Sequence, residues 1–181
     1  MIALAVIAAA GLIAAPADWR GETFTFPLQF APSIPYEGAE HVRFTPSWDK
    51  FATENGFSYV ILWDVKARDV TPEDIEDELE AYFNGLMSNV ARARKLEPAP
   101  HKASAAVHPM TEVPGWTQGY GLEVRTSNGF SKNEALLLYG EVSVRACPPG
   151  RMQIFFAFSR ARRDRPIWDG LREARKATPC P

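Results

Sequence analysis

The chain has 181 residues, 46% of them hydrophobic, and a formal net charge of −2. That is enough for one domain with a substantial core, and it lacks the basic excess of a nucleic-acid binder. Charge is uneven: Arg145 to Lys176 carries nine Lys or Arg against three acidic residues, a local +6 that leaves −8 for the rest. Two cysteines far apart exclude a C-x-x-C redox pair, and three scattered histidines have no metal-ligand spacing, so neither a metal nor a cofactor is expected.

Ile2 to Ala14 is an uncharged apolar run, and Ala15-Pro16-Ala17 has the small-x-small pattern of a signal-peptidase site. The run is too short to span a bilayer, so residues 1–17 are predicted to be a signal peptide, although no Lys or Arg precedes the run. Residues 18–181 then form a single α+β domain, periplasmic or extracellular, with no transmembrane segment. In an oxidising compartment Cys147 and Cys180 are expected to pair.

Glu22 to Phe26 and His41 to Phe44 alternate as short strands, with Phe24, Phe26, Val42 and Phe44 inward. Pro27, Pro32 and Pro35 keep the passage between them irregular. Phe57 to Val65 is apolar on both faces, which predicts a central strand with cover on each side. A helix follows, with Thr71 as N-cap, Pro72 at the first position and Asp74 in capping-box register. Its apolar stripe is Ile75, Leu79, Tyr82, Phe83, Leu86 and Val90. Gly85 borders that stripe, and close approach to a neighbouring strand would explain it. Glu73, Glu76, Asp77 and Glu80 read as a solvated face.

Past Pro98 and Pro100, Ala103 to Val107 reads as an edge strand, followed by strands over Thr117 to Arg125, Glu134 to Ala146 and Met152 to Phe158. Asn128-Gly129 is the strongest hairpin signal. A last helix starts at Pro166 with a stripe of Ile167, Trp168, Leu171 and Ala174. The order predicts a mainly antiparallel sheet of six to seven strands with helices on its faces, an α/β/α layered sandwich. This order and size resemble the Mog1/PsbP-like fold, over most of residues 18–181 and through topology rather than any motif. The resemblance implies a binding or assembly factor.

No G-x-S-x-G elbow, Walker loop, dinucleotide turn or H-E-x-x-H is present, and no catalytic residue is assigned. His41 alternates away from Val42 and Phe44 and should face outward. Asp64, expected to begin the polar loop before the helix, and Glu123 are the carboxylates of an alternative hydrolase reading. Arg160, Arg162, Arg163 and Arg165 form a dense cluster suited to an anionic surface such as a lipid head group, or simply to solvent or acidic neighbours. Tyr36, Trp48 and Trp116, with Trp19, fall in loops or segment ends. Gathered on one side, they would form a glycan- or peptide-binding surface. The leading expectation is therefore a monomeric, non-enzymatic binding protein of the bacterial cell envelope. Its protein or glycan partner would be held by Tyr36, Trp48, Trp116 and the arginines, or by a sheet edge.

Overall fold

The computed structural model describes residues 12–181, so most of the apolar run at the N-terminus lies outside the described residues. Seven strands form one open antiparallel sheet: β1 (Arg20–Thr25), β2 (Gly38–Phe44), β3 (Tyr59–Lys66), β4 (Ser104–Pro109), β5 (Gln118–Ser127), β6 (Ala135–Cys147) and β7 (Arg151–Ser159). Helix α1 (Pro72–Ala93) separates β3 from β4, and α2 (Ile167–Ala177) follows β7. Spatial order is β1-β2-β3-β7-β6-β5-β4. Two antiparallel meanders therefore meet where β7 pairs with β3, and α1 carries the chain from the middle of the sheet to its far edge.

The two apolar faces of β3 serve two separate cores. Tyr59, Ile61, Trp63 and Val65 join a cluster with Ile75, Leu79, Tyr82, Phe83 and Met87 of α1. Val60 and Leu62 join a second one with Phe155, Trp168, Leu171 and Ala174, the last three from α2. Period-two alternation in β3 thus sends successive side chains to different helices. Ile13 is buried in the second cluster, Leu12 and Ala15 pack against it, and the Ala14 amide donates to Thr178 Oγ1 at 3.4 Å.

Helix α1 starts as its sequence dictates. The Asp74 amide donates to Thr71 Oγ1 (3.1 Å) and the Thr71 amide to Asp74 Oδ2 (2.9 Å), a reciprocal capping box. Gly85 is there for close packing, but against the loop after β1 rather than a strand: a methyl group would collide with the Phe30 carbonyl oxygen. The acidic face of α1 is not merely solvated. Glu76, Glu80 and Asn84 accept the amides of Val107 (2.7 Å), Ala105 (3.2 Å) and Ala103 (2.8 Å). Acceptors every fourth helical residue recur at about 6 Å and alternate strand amides at about 6.7 Å, so the two ladders match over this length. The helix thereby covers the β4 edge. No such cover lies along β1, the other edge, among the described residues.

Cys147 and Cys180 form the expected disulfide, with Cα atoms 5.6 Å apart, tying the chain's end to the end of β6. Arg145 adds a bond to the Thr178 carbonyl (2.6 Å), and the Gln153 amide one to that of Pro179 (3.0 Å). Glu141, buried on β6, takes Arg172 (2.6 Å) and Arg175 (2.8 Å) from α2.

Candidate functional site

One cavity of about 290 Å³ opens on the α1 side of the sheet, where β1 and β2 run out from under the helix. Its formation follows from alternation in β1 and β2. Arg20, Glu22 and Phe24 of β1 pair across to Phe44, Val42 and Glu40 of β2, so all six side chains face the same way. Rings of Phe30, Trp48, Phe57 and Phe130 come in from loops, Tyr59 from β3, and Tyr82 with Leu86, Met87 and Val90 from α1. Leu86 and Val90 are consequently only half-buried, because they wall the cavity instead of entering the core. Phe24, expected to point inward, is 39% exposed at the mouth for the same reason.

The rings pack against one another at tilted to edge-on angles. Trp48 sits 4.8 Å from Phe44, 5.1 Å from Phe130 and 5.5 Å from Phe51, centroid to centroid. The Arg20 guanidinium lies 5.8 Å from the Trp48 ring and 6.0 Å from that of Phe44.

At the base lies Glu40, fully buried. Trp63 Nε1 donates to its Oε2 at 2.7 Å and the Tyr82 hydroxyl to its Oε1 at 3.2 Å. Both donors are neutral. Burial raises the Glu40 carboxyl to about 7, an effect that the two hydrogen bonds only partly oppose and to which Glu22 adds a smaller share. Burial also drives the Tyr82 and Tyr59 hydroxyls well above their ordinary range, with Glu40 adding to the effect.

The other three buried carboxylates have a different environment. Asp64 takes Arg151 through both oxygens (3.1 and 2.6 Å), Glu78 is bonded by Arg68 and by the Tyr36 hydroxyl (2.9 Å), and Glu141 has its two arginines. Burial raises Glu78 as well, against the pull of Tyr36 and Arg68. Glu40 alone among these four has no cationic partner among the described residues.

Of the residues proposed from sequence, only Trp48 lines this cavity. Tyr36 is buried in the α1-side core, with Arg68 over its ring at 4.9 Å. Trp116 packs on the opposite side of the sheet, against Phe155 (5.9 Å) and under Arg145 (4.2 Å), and Trp19 belongs to that same cluster. The aromatic residues therefore do not gather. The arginines also diverge: Arg160 donates to the Phe51 carbonyl, Arg163 to that of Gly140 (3.2 Å), and Arg165 pairs with Glu54 (2.8 Å), while Arg162 is exposed.

Asp64 is not a loop residue but a buried member of β3, locked to Arg151. Glu123 lies on the same sheet face beside Arg125 at 3.5 Å. Register places Asp64 in the row of Gln153 and Arg145, and Glu123 in the row of Tyr139 and Ser159. Three strand spacings and about six residues along the strand put them some 25 Å apart, beyond the roughly 10 Å limit for a glycosidase-type carboxyl pair. His41 faces away from Val42, as alternation required, and its Nδ1 meets Thr23 Oγ1 at 3.1 Å. No group of three His, Cys, Asp or Glu suited to a metal exists among the described residues, and no described helix is long and apolar enough to cross a membrane.

The sequence carries one signal for Glu40, although no motif marks it: Glu40, Val42 and Phe44 share one face at spacing two, so a carboxylate falls on the inward side of a half-buried strand. Among known proteins, no family model, no curated protein and no solved structure matches the chain.

Proposed function

We propose that the protein is a non-enzymatic binding protein of the cell envelope that takes a compact apolar ligand into the cavity between β1, β2, β3 and α1. The observation that carries this reading is the cavity itself, ring-lined and aliphatic, with few polar groups and one buried carboxyl at its base. Small-molecule sites have this character, and about 290 Å³ is at the small end of their usual range. The disulfide supports placement outside the reducing cytoplasm. The two cores on β3 favour reading the architecture as a helix–sheet–helix sandwich, the layering that the Mog1/PsbP-like resemblance implies.

Titration with the neutral fluorophore N-phenyl-1-naphthylamine tests the site. Saturable enhancement is expected from the native chain and at least about tenfold weaker binding from Leu86→Trp, whose larger ring would fill the cavity. Equal binding by both proteins would place the ligand elsewhere.

A further inference from the structure

We infer that the cavity is a receptor for a hydrophobic quaternary or tertiary ammonium ion, whose positive charge supplies the partner that Glu40 lacks. This rests on the reading of the cavity as a ligand site and specifies what enters it. Each of the other three buried carboxylates is matched by an arginine: Arg151 for Asp64, Arg68 for Glu78, and Arg172 with Arg175 for Glu141. At Glu40 the two hydrogen-bond donors are an indole and a phenol, and the residue lies buried in the lining of the cavity. A buried carboxylate without a counter-charge is strongly disfavoured, so a cation entering from outside is attracted most where the protein has provided none.

The walls point to the type of cation. Aromatic faces present the negative side of their quadrupole, and such cages hold alkylated ammonium groups. The site already receives one cation at its rim, since the Arg20 guanidinium lies within 6.0 Å of both the Phe44 and Trp48 rings. A primary ammonium, strongly hydrated, would leave its three N–H donors facing carbon. A quaternary centre makes no such demand and a tertiary one has a single N–H to satisfy, so both suit the apolar walls of Leu86, Met87 and Val90 better. An anion is poorly served, because Glu22 at the mouth and Glu40 at the base oppose it and only Arg20 favours it.

The groups facing Glu40 are Glu22 from β1, Tyr59 from β3 and Tyr82 from α1, with Arg20 at the mouth. Burial raises the Glu40 carboxyl to about 7, so preference for a cation should fall as Glu40 takes up its proton.

The test uses the full, disulfide-intact chain and three ligands of similar shape followed by Trp fluorescence: benzyltrimethylammonium, its uncharged isostere neopentylbenzene, and the anion 4-tert-butylbenzoate. At pH 8 the ammonium should bind at least about tenfold tighter than the isostere, from the attraction of a nearby opposite charge in a poorly solvated site. The margin should shrink about tenfold at pH 5. Glu40→Gln should show that reduced margin at both pH values while still binding neopentylbenzene. Equal binding of ammonium and isostere at pH 8 would overturn the inference and leave the apolar site standing, whereas binding of none of the three would overturn both. Tighter binding of the benzoate would assign control to Arg20 and overturn it too. An undiminished ammonium preference in Glu40→Gln would do the same. If that variant loses neopentylbenzene as well, the pH series on the native chain decides.

Discussion

Replacing Glu40 by Gln isolates the charge at the base of the cavity, and its effect on stability has a sign that can be worked out in advance. The carboxyl sits near 4.5 in the unfolded chain and about 7 in the folded protein. A raised value means that the folded state binds the proton more tightly, so the protonated group contributes stability fully below about 4.5, which is lost as pH rises through about 7. A difference of two to three pH units corresponds to about 3 kcal/mol, because each unit is worth roughly 1.4 kcal/mol. Gln imitates the neutral acid, keeping one oxygen for Trp63 or Tyr82, and any loss of a hydrogen bond costs about 1 kcal/mol at every pH alike. Urea unfolding under non-reducing conditions should therefore find Glu40→Gln similar to or slightly less stable than the native chain at pH 4. At pH 8 the variant should have gained about 3 kcal/mol relative to it, with the change concentrated between pH 4.5 and 7. Stability curves that run parallel across this window would refute the reasoning, because they would mean that Glu40 is ionised in the fold at no cost.

Three further outcomes follow from other parts of the fold. Cys147→Ser with Cys180→Ser should lower stability by about 3–4 kcal/mol through the opened loop, measured as a shift of the urea midpoint, and reductant should destabilise the native chain but not the variant. Arg175→Met removes the better buried of the two arginines on Glu141 and should cost about 3 kcal/mol; adding Glu141→Leu should recover most of the loss, since the penalty comes from an underpaired buried charge rather than from a missing attraction. Glu76→Ala with Glu80→Ala uncovers the β4 edge, so amide exchange at Ala105 and Val107 should accelerate at least about tenfold while β3 amides remain protected. Unchanged exchange there would show that the helix acceptors contribute nothing to the edge.

What was legible in the sequence was what local periodicity encodes. Thr71, Pro72 and Asp74 announce the start of α1 because capping acts within one turn. The doubly apolar run ending at Val65 announces a central strand because each face of a strand needs its own cover. Even the inward position of Glu40 was available from alternation with Val42 and Phe44. The pairing of Cys147 with Cys180 required only a count and a compartment.

The site depended on contacts between segments far apart in the chain, and periodicity says nothing about those. Whether a buried carboxylate is satisfied depends on which guanidinium reaches it. Arg151 reaches Asp64 across 87 positions because β7 lies beside β3, and Arg172 reaches Glu141 across 31 because α2 packs against β7, the neighbour of β6. Nothing in the order of residues marks Glu40 as the carboxylate that no arginine reaches. The same holds for the aromatic residues: Trp48 and Trp116 are alike as loop tryptophans, yet the sheet puts them on opposite faces. Alternation determined that Glu40 would be buried. The tertiary arrangement alone decided that it would be buried without a counter-charge, at the base of a cavity.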